Sequence, residues 1–387
     1  MNLEPSAEQA QLRDSLARLL TAESGFEVRR HVNASDEGFS RDLWARFAQL
    51  GLTALAVPAA HGGLAGSAAD LAVVMEELGA ALVQEPMLAS AILACTAISV
   101  SGDGPAGEEL LPQLAAGTAI GAWAHDEAGA RHAPLWVETR ARLDGGVWFL
   151  DGTKAHVLHG AAARFGVVSA RVAGTADAPE GLGLFVVDVG APGLVQRHYR
   201  LLDGSPAAIW TLAGARARAL GVPGDAYAAI AQTRNTGIAA LCADAVGAAR
   251  AAFALTVAYL NTRKQFGRLL GENQALRHRV ADMHVALEAC RSAATLAALA
   301  LDDPGSCDPV RDLSCAKLLI GRHGRFVCQQ AIQLHGGIGM TEEYAVGHYL
   351  RRLTVIDQLF GDADAHLAIL AGMPDRVESP VRTTGVA

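Results

Sequence analysis

The hydrophobic period of this 387-residue chain changes twice, and that double change limits the fold more than any single motif. Residues 1–118 repeat apolar side chains at helical spacing. Leu12, Leu16, Leu19 and Leu20 share one face, behind a Ser6/Gln9 pair with capping-box spacing. A second helix is expected near 40–50, ending at Gly51. Pro58, Gly62 and Gly63 then break the pattern, which resumes over 67–83, 87–100 and 107–117. In 119–220 the period falls to two. Val137, Thr139, Ala141 and Leu143 alternate with polar residues before the turn Asp144-Gly145-Gly146, and strand-like runs follow at 165–172, 181–189 and 208–214. This reads as an antiparallel sheet or small barrel.

From 221 to 372 the helical period returns. One very long helix is expected from near Asp225 to about Thr262, a second over 272–302, and a third from Asp308-Pro309 to Gly336-Gly337. A fourth is read as capped by Thr341, with Glu342 and Glu343 in its first turn. Four such helices make a bundle. The expected division is 1–118 helical, 119–220 β, 221–372 bundle, and a poorly ordered tail from 373.

A hydrophobic share of 51% supplies ample apolar surface for two or three cores. A net charge of −8 argues against nucleic acid as a partner. The Ala-rich stretch Gly237–Leu260 is interrupted by Asp244 and Arg250, so no membrane insertion is expected. The acidic N-terminus is unlike a secretory signal. None of the six cysteines forms a C-x-x-C pair, which predicts buried free thiols and a cytoplasmic protein. His125, His156 and His159 cluster in sequence, but two strand neighbours such as His156 and His159 more often face a cofactor or solvent, no third ligand is evident beside them, and no metal site is expected.

Two stretches carry more than folding requires. In TRKQFG (262–267), Arg263 ends a long apolar helix, where a guanidinium can grip a phosphate or simply answer the helix dipole. In QLHGGIGMT (333–341), two adjacent glycines and a third exceed the one glycine that a helix C-cap needs.

TRKQFG, NQALRHRVADM (273–283) and QLHGGIGMTEEY, together with DLWARFAQLGLTALAVPAAHGG (42–63) and DGTKAHVLHGAA (151–162), resemble the acyl-CoA dehydrogenase family in the same order along nearly the whole chain. The resemblance implies an N-terminal helical domain, a middle β-barrel and a C-terminal four-helix bundle. It implies α,β-dehydrogenation of an acyl-CoA thioester, FAD shared across a subunit interface, and electron-transfer flavoprotein as acceptor. Matched by position, Arg263 would meet the pyrophosphate and Phe266 the adenine side. Gln274, Gln333, Gly336 and Gly337 would approach the ADP half.

The resemblance also implies a glutamate that removes the α-proton. Phe360 stands at its usual position, and Gly237 at the alternative one on the first bundle helix. Asp362 and Asp364 flank the lost base position as candidate substitutes, and His125, Asp126 and Glu127 begin the segment that would face the flavin. This mixture is similar to the small subunit of heteromeric enzymes such as pimeloyl-CoA dehydrogenase, which act on dicarboxylyl or other bulky acyl-CoA compounds. A base-lacking subunit completing a shared FAD site with a Glu-bearing large subunit is the leading expectation. The alternatives are a self-sufficient homo-oligomeric dehydrogenase with an unusual base, and a non-catalytic acyl-CoA-binding scaffold.

Overall fold

A computed structural model describes residues 6–102 and 104–373; the tail expected beyond these lies outside the described residues. Six helices come first: α1 (Ala7–Glu23), α2 (Phe26–Ala34), α3 (Arg41–Gln49), α4 (Ala68–Ala80), α5 (Cys95–Val100, continuing a π-helical segment Met87–Ala94) and α6 (Pro105–Ala115). The Ser6 capping box forms as its spacing predicts. Helix α2, with Gly25 at its start and no side-chain cap, has no clear sequence signal.

Seven strands follow: β1 (Gly121–Ala124), β2 (Arg140–Asp144), β3 (Val147–Leu158), β4 (Phe165–Arg171), β5 (Leu182–Asp188), β6 (Leu194–Arg200) and β7 (Pro206–Gly224). Pairings run β4–β2–β3–β7–β5 and back to β4, so the sheet closes on itself, with β6 on the outer flank of β7. The expectation of an antiparallel sheet needs one correction. β1 and β2 both pair parallel to β4, because the chain leaves the helical layer at β1 and must run beside β4.

Alternation on β4 and β5 serves two cores at once. Phe165, Val167, Leu184 and Val186 face the helical core, whereas Val168, Ala170, Phe185 and Val187 face the barrel core around Trp210.

The last part holds α7 (Tyr227–Thr262), a two-stranded hairpin β8–β9 (Lys264–Leu269), α8 (Gln274–Asp302), α9 (Pro309–His335), α10 (Val346–Gln358) and α11 (Ala363–Gly372). Asp308 caps α9 as expected, its side chain accepting from Arg311 N. Thr341 does not cap a helix. Its hydroxyl donates to Ile338 O and closes a 3-10 turn, and α10 starts only at Val346. Glu342 is drawn instead to Arg351.

Despite Asp244 and Arg250, helices α7 and α8 are long and apolar enough to cross a membrane by length and composition, but most of α7 is packed within the core. It crosses α4 nearly backbone to backbone. A Cβ on Gly247 would lie 1.8 Å from Glu76 O, and one on Gly79 would lie 2.0 Å from Asp244 O.

Candidate active site

A cavity of about 470 Å³ opens between the barrel and the bundle. Its walls include Asp126, Arg131, His132 and His156 from the β side, and Arg234 and Phe360 from the helical side.

The β wall is built around a buried lysine. Alternation along β3 places Lys154 on the inward face with Leu150, and both are fully buried. Lys154 Nζ donates to Glu127 Oε1 (2.7 Å), Ser169 Oγ (3.0 Å) and His125 O (3.1 Å). Burial alone would raise the Glu127 pKa, but the Lys154 charge and the hydrogen bonds from Lys154, Thr139 and Glu138 N overcome it and hold the carboxyl low. Ser169 Oγ lies 2.9 Å from His125 Nδ1, and His125 Nε2 lies 3.0 Å from Pro134 O. With Lys154 donating to Ser169, the hydroxyl donates to Nδ1 and the ring proton sits on Nε2. Burial lowers the His125 pKa to about 3, so the ring is neutral. This network fixes the loop that carries Asp126. The half-buried Asp126 carboxyl has its pKa raised by burial, against the opposing Arg234 charge.

The helical wall is a turn at the end of α10. Phe360 is buried yet sits at φ 59°, and Gly361 follows at φ 104°. Phe360 O accepts from Arg234 Nη2 (3.3 Å) and lies 3.2 Å from His366 Nε2. Lys317 Nζ donates to Ile356 O (2.7 Å), Asp357 O (2.9 Å) and Gly361 O (2.9 Å). Burial lowers the Lys317 pKa to about 8. A Cβ on Gly237 would meet the Phe360 ring at 2.8 Å and Leu93 Cδ2 at 2.8 Å. The two positions at which the resemblance puts a base therefore face each other, and a phenyl ring fills the space between them.

The two acids flanking Phe360 as candidate bases are used elsewhere. Asp362 Oδ1 accepts from Ala365 N (2.8 Å) and caps α11, while Asp364 is 90% exposed near Arg322. Neither lines the cavity. Asp244, buried on α7, forms a two-point pair with Arg352, which also donates to Asp203 (2.9 Å). The three histidines diverge: His125 as above, His156 to Tyr199 OH (2.8 Å), and His159 into a separate inner cavity. The cysteines are all free, with Cys95, Cys242, Cys290 and Cys328 buried.

A second depression, of about 780 Å³, lies at the far end of α7. It brings together Arg263, Gln333, Gly336 and Gly337, with Arg279 from α8. Phe266 and Gln274 are exposed nearby but do not line it. Phe266 and Gly267 both take positive φ (51° and 81°) in the hairpin turn, which leaves the ring wholly exposed. The three glycines divide their tasks. Gly336 is the left-handed end of α9 (φ 65°), and a Cβ on Gly339 would meet Ile332 O at 2.9 Å. Gly337 has neither demand, since nothing lies within 4 Å of its Cβ position. Two guanidinium groups, an exposed amide and uncovered backbone suit the diphosphate of a dinucleotide.

The chain belongs to the acyl-CoA dehydrogenase family, whose members are FAD-dependent oxidoreductases. Residues 6–118 match the family's N-terminal domain and residues 226–372 its C-terminal domain. The chain is 30% identical to cyclohex-1-ene-1-carbonyl-CoA dehydrogenase of Geobacter metallireducens, over 81% of this chain and 83% of that protein. It is 28% identical to the acyl-CoA dehydrogenase IpdE2 of Mycobacterium tuberculosis, over 90% and 91% of the two chains. Among solved structures, the Tcur3481-Tcur3483 steroid ACAD superposes with a TM-score of 0.84 at 31% identity, covering 94% of this chain and 96% of that one.

Sequence reasoning did not find Arg234, the Lys154–Glu127 pair or the Arg352–Asp244–Asp203 network. A signal existed for one of them. A lysine at an inward strand position needs a carboxylate partner.

Proposed function

We propose that this chain is a base-lacking subunit of a two-component acyl-CoA dehydrogenase, and that a Glu-bearing homologue completes it. The observation that carries this reading is the contact between Gly237 and Phe360. Removing a weakly acidic α-proton requires a positioned base. Neither position offers one, and the neighbouring Asp362 is occupied as a helix cap.

The depression around Gly337 would hold the ADP part of FAD. Arg263 would pair with its diphosphate, and Gln333, Gly336 and Gly337 would lie against it, with Phe266 and Gln274 covering its rim. Bound there, flavin would supply the hydride acceptor for the β-hydrogen. Arg263 and Arg234 stand 29 residues apart on and just beyond one straight helix, about 44 Å at 1.5 Å per residue. One extended dinucleotide cannot join both sites of the same chain. The depression would therefore serve the cavity of a neighbouring subunit. The two-part name of the Tcur3481-Tcur3483 steroid ACAD is in keeping with such an assembly. We also read 1–118, 119–220 and 221–372 as separate domains, electron-transfer flavoprotein as the acceptor, and a reducing, cytoplasmic setting for the six free thiols.

Asp126 supports a second reading. It is an acid on the cavity wall with a pKa raised by burial, so a self-sufficient enzyme would use it as base. Turnover of butyryl-CoA and octanoyl-CoA by the purified chain, with added FAD and an artificial acceptor, separates the two. We expect none above background. Turnover within the ordinary enzymatic range of about 1–10³ per second would reject the leading reading, and its loss in Asp126→Asn would establish the second.

A further inference from the structure

Behind the outer cavity lies a smaller one of about 40 Å³. Leu201, Val355 and Leu359 line both, so the two spaces adjoin. The inner space has room for about three water-sized groups. It contains two buried polar atoms without a partner, Gln84 Oε1 and His159 Nδ1.

Gln84 Oε1 is not free through a misplaced amide. Gln84 Nε2 donates to Asp203 O at 3.0 Å, so the amide oxygen must point away from that carbonyl. His159 is held at φ 52°, and its backbone N–H donates to Pro206 O (2.9 Å). Its ring is neutral, since burial, with Arg352 and Arg200 nearby, lowers its pKa to about 3. An acceptor and a neutral imidazole nitrogen together suit a group that both donates and accepts.

The charges around this space are already matched. Arg352 is engaged by Asp244, Asp203 and Ser205, and the Glu85 carboxyl accepts from Ser40 N and Gln84 N. Among the described residues that line it, no cation is left to receive a carboxylate. The resemblance to dicarboxylyl-CoA enzymes therefore does not extend to this wall.

We propose that the inner cavity seats the distal end of the acyl group and selects an uncharged, hydroxyl-bearing end, which donates to Gln84 Oε1 and accepts from His159 Nδ1–H. This takes the outer cavity to be an acyl-CoA site, as membership of the acyl-CoA dehydrogenase family suggests, and rests on that reading. A methyl end would leave both polar atoms unpaired, and a carboxylate end would meet Glu85 without a counter-ion.

The test uses the flavin-loaded protein, with any subunit that co-purifies. CoA thioesters of four to ten carbons ending in methyl, hydroxyl or carboxylate are titrated anaerobically by calorimetry. At one chain length the hydroxyl end is expected to bind about tenfold tighter, or more, than either other end. Gln84→Met and, separately, His159→Phe should reduce that ratio to within about twofold. Melting temperatures identify a variant that fails to fold, and the other then gives the result. Equal binding of all three ends, tighter binding of the carboxylate, or a preference that survives a folded variant would overturn the proposal alone. Binding of no thioester at any length would overturn the acyl-CoA site and this proposal with it.

Discussion

Gly237 and Phe360 form one packing unit: the glycine on α7 leaves the space that the ring at the end of α10 occupies, and an added Cβ would lie 2.8 Å from ring carbon Cε2. Neither residue is explained by its own element. Glycine weakens a helix by about 1 kcal/mol relative to alanine, and phenylalanine at φ 59° is strained. On the proposed reading they close the place where a carboxylate would reach the substrate.

This unit predicts strong coupling. Gly237→Ala should destabilise the fold by about 1–2 kcal/mol despite its better helix propensity. In the Phe360→Ala background the same change should become neutral or stabilising. Urea unfolding of the four proteins of the cycle measures the difference.

Lys317 predicts a particular pH dependence. Its pKa of about 8 in the fold lies below the ordinary lysine value of about 10.4. Between these values the unfolded chain binds more protons, so stability rises with pH across about pH 8–10.4. The desolvation cost is fully present below pH 8, about 3 kcal/mol for this shift. Lys317→Met should lose that slope, and should also leave three carbonyls unpaired. Denaturation curves of both proteins at pH 7, 9 and 10.5 read it directly.

Asp244→Asn separates a structural acid from a catalytic one. It removes one partner of a buried pair with Arg352, so a loss of about 3–5 kcal/mol is expected. In the enzyme assembled with its Glu-bearing homologue, turnover per folded, flavin-bearing site should fall by less than the roughly 10²–10⁴-fold that loss of a base costs, since Asp244 lines the inner cavity and not the outer one.

Arg263→Ala distinguishes phosphate binding from a plain helix end. The residue is exposed, so stability should change by about 0.5 kcal/mol or less. Flavin retained through gel filtration by the complex assembled with a Glu-bearing homologue should fall about tenfold or more, as for a lost charge-assisted contact. Unchanged flavin content would leave only the dipole role.

Much of this architecture was legible because long periodic patterns dominate their own elements. Strand β4 reads clearly because its alternation meets two cores, and α9 because Asp308-Pro309 punctuates its start. Short elements were lost where tertiary contacts outweigh local signals: α2 has no side-chain cap, and β1 pairs in parallel with a distant strand. Thr341 misled because its hydroxyl closes a 3-10 turn rather than a helix. The residues at the two expected base positions, Phe360 and Gly237, were legible, but their contact was not, since 123 residues separate them. The inner cavity was hidden for the same reason: Gln84 and His159 come from different layers.

The most direct test of the central claim is a visible spectrum of the purified chain combined with light scattering on a sizing column. The account predicts a colourless chain that gains flavin, at a defined stoichiometry, only when assembled with a Glu-bearing homologue. A yellow homo-oligomer with one flavin per chain that oxidises acyl-CoA unaided would contradict it.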